Sequence, residues 1–283
     1  MMTTTTALAP AAARRAGRSR RFLMCRPSHF DVRYSINPWM DVQAPVDSGR
    51  AVRQWERLVA LYESLGHQVE LIEPEPGLPD MVFAANAGTV IAGRVLCSRF
   101  RHAERLPEEE AYRRWFAAAG LAVVVPTAVN EGEGDFALVG DRLLGAWGFR
   151  SERASHAEAA AAFDRPVLSL ELVDPRWYHL DTALTVLGDD HIAYYPAAFS
   201  DESQALLRAA FPDGVIAAEA DATVLGLNAT SDGHRVVLPA QAERLADQLA
   251  AAGYEPHPLD LSELLKAGGS IKCCTLELRG GPS

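Results

Sequence analysis

Five times along its 283 residues the chain places an amphipathic helical stretch directly before a short apolar strand. In the first, Trp55, Leu58, Val59, Tyr62 and Leu65 recur at helical spacing, Gly66 ends the run, and "QVELIE" follows as a strand. The order returns in "EEEAYRRWFAAAG" with "LAVVVPT", "SHAEAAAAFDRP" with "VLSLELV", "DESQALLRAAFPDG" with "VIAAE", and "AERLADQLAAAG" with "YEPHPLDL". A repeat of this kind folds as equivalent modules, because each unit needs neighbours to cover its apolar face. No Pro/Gly/Ser-rich linker interrupts the series, so the expectation is a single α/β domain over residues 22–283 made of ββαβ-like modules.

Each unit runs on into a polar or glycine-containing stretch: "PDMVFAANAG", "NEGEGDF", "WYHLDT", "GLNATSDG" and "KAGGSIKC". These recur at intervals of roughly 45 to 55 residues. If the modules surround an axis, the five stretches meet at its centre, and Asp80, Glu131, His179 and Cys273 converge from four of them. Together they are the parts of a covalent catalyst: Cys273 as nucleophile, His179 as general acid and base, Glu131 to orient the imidazole.

Local pattern refines this set. Ile271, Thr275, Leu276 and Leu278 give the C-terminal segment strand character, which would turn Cys273 and Cys274 to opposite faces and leave one thiol for the site. Adjacent cysteines are poorly placed to bridge each other or to grip one metal. In "HLDT", Asp181 would share a strand face with His179. In "NEGEGDF", Glu131, Glu133 and Asp135 alternate with asparagine or glycine and would share another. Plainer readings stand beside these: a packing cysteine, a solvated acidic loop, and an Asn-Pro turn at Asn37.

A net charge of −10 and a pI near 5.3 argue against nucleic acid as a partner and suit a small cationic substrate. Four cysteines without a dense pattern point to a reducing, cytoplasmic setting, and no apolar run approaches the roughly 20 residues that span a bilayer. Residues 1–21, rich in arginine and small residues and free of acids, read as a disordered tail.

With "PDMVF", "EGEGD", "HLDT" and "GGSIKCC" in these positions, the chain resembles the guanidino-group-modifying enzymes from about Phe22 to Leu278. That family includes arginine deiminase, dimethylarginine dimethylaminohydrolase, amidinotransferases and cyanobacterial arginine dihydrolase. The resemblance implies a pseudo-five-fold α/β propeller, with Cys273 as nucleophile, His179 as acid and base and Glu131 as its carboxylate. Asp80 and Asp181 then grip a guanidinium, while Arg105 and Arg150 hold the substrate carboxylate or shape its loop. Where the family usually has Glu-Gly-Gly-Asp, this chain has Glu131-Gly132-Glu133-Gly134-Asp135, which leaves Glu131 and Glu133 as alternatives.

Asn86 in "FAANAG" and Asn37 in "YSINPWM" look most like arginine dihydrolase, with dimethylarginine dimethylaminohydrolase and arginine deiminase as alternatives. The resemblance implies a small guanidino substrate and no metal or organic cofactor, and it leaves a homo-oligomer open. Outside the family, a zinc-binding protein using Cys273, His179 and Glu131 is the competing reading.

Overall fold

The first helix is bounded by a side-chain cap at one end and a left-handed glycine at the other. In this computed structural model, which describes residues 15–280, α1 (Ser48–Ser64) opens on Asp47, whose carboxylate accepts the Arg50 backbone N–H at 2.8 Å. It stops before Gly66 at φ +84°, and the chain re-enters as a strand. Its inner face buries Trp55, Leu58 and Tyr62, worth about 1.5–3 kcal/mol for each large apolar side chain.

The first strand, β1 (Arg21–Cys25), precedes α1, and β2 (Gln68–Ile72) follows it. Then come β3 (Gly88–Ile91), β4 (Arg94–Cys97), α2 (Glu108–Ala118) and β5 (Ala122–Val124). The next set is β6 (Phe136–Val139), β7 (Arg142–Trp147), α3 (Ser155–Phe163) and β8 (Val167–Glu171). A one-turn helix α4 (Leu180–Ala183) leads into β9 (Leu184–Val186), β10 (Ile192–Tyr194), α5 (Asp201–Ala210) and β11 (Val215–Ile216). After the short α6 (Glu219–Ala222) lie β12 (Thr230–Ser231), β13 (Arg235–Pro239), α7 (Glu243–Ala251) and β14 (Glu255–Leu259), then the short α8 (Ser262–Leu265) and β15 (Leu276–Glu277).

These strands form five three-stranded sheets, β3-β4-β5, β6-β7-β8, β9-β10-β11, β12-β13-β14 and β15-β1-β2. In each, the first pair is antiparallel and the second parallel, with a long helix in the crossover that a parallel pair requires. This is a ββαβ module repeated five times, a pseudo-five-fold α/β propeller. The fifth sheet closes the ring, because β15 pairs antiparallel with β1, Phe22 opposite Glu277 and Leu23 opposite Leu276.

The core is correspondingly divided. Five apolar clusters each take the inner face of one long helix: Trp55 and Leu58, Tyr112 and Phe116, Ala159 and Phe163, Leu207 and Phe211, Leu245 and Leu249. Apolar demand is met between helices and sheets, which leaves the turns before each module's first strand free to carry buried polar groups.

Three local expectations are corrected. Residues 271–274 form a turn, with Cys274 N–H donating to Ser270 O at 3.2 Å and Thr275 N–H to Lys272 O at 2.9 Å, so the two thiols diverge from a turn rather than alternate along a strand. His179 caps α4 in an extended conformation and Asp181 lies within that helix, so they share no strand face. Of the expected tail, residues 1–14 lie outside the described residues. Its remainder packs: Ser19 Oγ donates to Gly66 O at 2.7 Å, Arg18 N–H to Asp232 O at 2.9 Å, and Arg21 begins β1. No helix among the described residues is long and apolar enough to cross a membrane.

Candidate active site

Close backbone approach builds one side of the site. Gly132 has φ +56°, and a Cβ there would lie 2.6 Å from the Gly88 nitrogen. A Cβ on Gly134 would overlap Asn86 Nδ2 and lie 3.2 Å from His179 Nδ1, so these two nitrogens border one small space. The tight turn brings Glu131 and Asp135 towards His179 and sends Glu133 away to Lys272, so the three carboxylates do not share one face.

Glu131 Oε2 lies 2.9 Å from His179 Nε2 and accepts Arg150 Nη1 at 2.8 Å; all three side chains are buried. Burial alone would raise the Glu131 carboxyl, but Arg150 and His179 outweigh it and hold it below the usual carboxylate range. An ionised Glu131 can only accept, so Nε2 carries its proton towards it and Nδ1 is the ring atom turned elsewhere. Nδ1 is buried without a partner.

Glu133 is bound instead to Lys272 Nζ at 2.5 Å, to the Arg279 guanidinium and to Glu277 N–H at 3.2 Å. Asp135 accepts Ser151 Oγ at 2.6 Å and Leu180 N–H at 3.2 Å, while its Oδ2 stands 3.8 Å from His179 Nε2. Burial outweighs those partners and lifts its carboxyl to about 6.

Cys273 Sγ donates to Asp181 Oδ2 at 3.2 Å. Burial, then the Asp181 charge, pushes this thiol well above its ordinary range, so it rests as a neutral S–H. Asp181 is itself raised to about 7, because burial exceeds the pull of Lys272 and of the thiol. Its Oδ1 is buried and unpartnered. Asp80 has the same form: Tyr34 O–H donates to Oδ2 at 2.9 Å, Oδ1 has no partner, and burial raises the carboxyl against Arg105 and Tyr34.

The remaining expected residues are tied into the surrounding frame. Arg105 forms a two-point pair with Glu108, at 2.9 and 2.8 Å, and its Nη1 donates to Asn86 Oδ1 at 2.8 Å. Arg150 also donates to Ile36 O at 2.9 Å. Asn37 spends both ends on the backbone, accepting Trp39 N–H at 2.9 Å and donating to Ala267 O at 3.0 Å. Asn37 thus holds the 34–40 segment, which also reaches Asp80 through Tyr34 and Arg176 O through Trp39 Nε1.

One residue in contact with Cys273 was missed. Asn228 Nδ2 donates to Cys273 Sγ at 3.0 Å and Asn228 Oδ1 accepts Cys273 N–H at 3.0 Å. The signal was present, since "GLNATSDG" is the one central stretch of the five from which no candidate was drawn.

A cavity of about 470 Å³ lies along the first strands of the modules, with Phe136, Leu184 and Thr230 in its wall. It reaches Asp181 and Lys272 but not Cys273, His179, Glu131 or Asp80. Among the described residues no group of three or more His, Cys, Asp or Glu is arranged to hold a metal.

No protein-family profile matches the chain. It is 56% identical over 266 residues to an N(G),N(G)-dimethylarginine dimethylaminohydrolase of Mycobacterium tuberculosis, covering 94% of this chain and 88% of that protein. It is 41% identical over 267 residues to the bifunctional arginine dihydrolase/ornithine cyclodeaminase AgrE of Nostoc, covering 91% of this chain but 38% of that one. Its fold superposes with a TM-score of 0.89, at 37% identity, on the substrate-bound N-terminal domain of ArgZ, an arginine dihydrolase from cyanobacteria, covering 93% of this chain and 99% of that domain.

Proposed function

Since the chain belongs to the guanidino-group-modifying enzymes and is, like the relatives it matches, a hydrolase of guanidino C–N bonds, we propose that it is an arginine dihydrolase that works through a covalent adduct on Cys273. The overall reaction takes arginine and two waters to ornithine, two ammonia and carbon dioxide.

The orientation of Asn86 carries the substrate reading. An arginine guanidinium only donates, so the amide atom at 2.8 Å from Arg105 Nη1 must be Oδ1. Nδ2 is left beside His179 Nδ1, donating weakly to Glu131 O at 3.4 Å. The amide therefore offers the site a donor. A donor suits the oxygen of a neutral ureido group and has nothing to offer a guanidinium.

Asp80 Oδ1 and Asp181 Oδ1 are buried acceptors lacking donors, which a guanidinium supplies. Gripped there, its central carbon would sit about 3 to 3.5 Å from Sγ. The cation offsets the Asp181 charge that keeps Cys273 protonated, and the thiol proton passes to His179 Nδ1. The thiolate forms a C–S bond to the guanidino carbon. His179 returns the proton to the departing nitrogen, which leaves as ammonia. His179 next takes a proton from water, the hydroxide adds to the thiouronium carbon, and the C–S bond breaks back to thiolate. The product carries a ureido group, which the Asn86 amide retains for a second hydrolysis.

Product analysis tests this reading. Arginine should give ornithine and carbon dioxide, with no build-up of citrulline. A second reading, dimethylarginine dimethylaminohydrolase, is favoured by the 56% identity to a protein of that name; dimethylamine released from dimethylarginine, with arginine left untouched, would select it.

A further inference from the structure

We infer that Asn228 acts on Cys273 as its thiolate-stabilising partner, fixing the aim of Sγ and lowering the free energy of its charged form. The inference rests on the reading of Cys273 as the nucleophile. It comes from hydrogen-bond valence at one side chain.

A backbone N–H only donates, so the Asn228 atom 3.0 Å from Cys273 N must be Oδ1. That fixes the amide's flip and commits Nδ2 to the other side, where one hydrogen goes to Asp181 O at 3.1 Å and the other to Cys273 Sγ at 3.0 Å. The amide thus grips the backbone and the sulfur of a single residue, and Asn228 is fully buried. Asn228 also accounts for the fifth module, since its turn before β12 is equivalent to those that carry Asp80, Glu131, His179 and Cys273 before the first strands of the other four sheets.

The sulfur is held between two groups of opposite preference. Asp181 accepts the S–H proton and is repelled by a thiolate. Asn228 donates to sulfur in both states and does so more strongly to the anion, where the bond becomes charge-assisted. Asp181 therefore keeps the resting thiol neutral, and once a cation offsets that carboxylate, Asn228 joins the Ser270 backbone contact in favouring ionisation.

The test is the pH dependence of Cys273 alkylation by iodoacetamide, read on the Cys273 peptide by mass spectrometry in wild type, Asn228→Asp and Asn228→Leu. Alkylation reads the thiol whether or not Cys273 is the nucleophile, while turnover in Cys273→Ser tests that reading separately. Both Asn228 variants should move the alkylation midpoint upwards by about one pH unit, a tenfold loss of thiolate at a given pH below it. A role confined to folding would lower the melting temperature and leave the midpoint alone. A midpoint unchanged in a folded variant overturns the inference. If neither variant folds, the wild type decides: the Asn228 side-chain amide resonance must titrate with the alkylation midpoint, and a resonance that stays still while the thiol ionises overturns it.

Discussion

Glu131 Oε2 meets His179 Nε2 at 2.9 Å, whereas Glu133, two residues on, turns away to Lys272 and Arg279. The two glutamates thus have separable roles. Glu131→Gln should lower kcat by about a hundredfold or more with KM little changed, the scale on which general acid–base catalysis contributes. Glu133→Gln leaves Lys272 and Arg279 without their buried anion and should cost stability, on the order of 3 kcal/mol, while the chemical step survives. Steady-state kinetics with a denaturant melt of each variant separates the effects; the opposite pattern would reassign the histidine's partner.

Cys273→Ser should abolish turnover, because an alcohol is a far weaker nucleophile than a thiolate. Cys274 is fully buried, and burial pushes its thiol far up, so it serves as packing. Cys274→Ser should retain most activity and lose at most part of its stability. Equal loss of activity in the two variants, both confirmed folded, would contradict the assignment.

Asn86→Asp tests the donor that the amide presents. A carboxylate would keep the bond to Arg105 but turn an acceptor towards a ureido oxygen. The ornithine to citrulline ratio at early times, by chromatography, should fall while release of the first ammonia continues. An unchanged ratio removes Asn86 from the second hydrolysis.

The folded state raises the Asp181 and Glu108 carboxyls to about 7 and Asp135 to about 6, against ordinary values of 3.8, 4.5 and 3.8. Folding therefore favours their protonated forms. The stability this contributes is complete below about pH 4 and is lost as pH rises through 6 and 7. Glu131 and Glu133 are lowered and work the other way, with their contribution lost as pH falls below 4.5. Asp181→Asn, which removes one of the first group, should gain stability relative to wild type between pH 5 and 8, measured by urea midpoint. A constant difference across that range would contradict the raised carboxyl.

The helix-to-strand units were legible because each helix carries its own apolar stripe, as Trp55, Leu58 and Tyr62 do in α1, and each ends on a glycine or a turn. From the repeat alone, Asp80, Glu131, His179 and Cys273 could be singled out as candidates for a shared centre. Local geometry there was not legible. β-Branched Ile271 and Thr275 suggested a strand, but hydrogen bonds from Cys274 to Ser270 and from Thr275 to Lys272 make a turn. The choice between Glu131 and Glu133 depends on Lys272 and Arg279, more than 130 residues away. The facing of Asn86 depends on Arg105, and Asn228 gains its meaning only once Cys273 lies against it.

The proposed covalent step is open to direct observation. Wild-type protein mixed with arginine labelled with 13C in the guanidino carbon, quenched in acid within milliseconds and digested, should carry the label on the Cys273 peptide, in amounts that rise before product appears and fall as it accumulates. Label on Cys25, Cys97 or Cys274, or product accumulating with no label on any cysteine, would contradict the account.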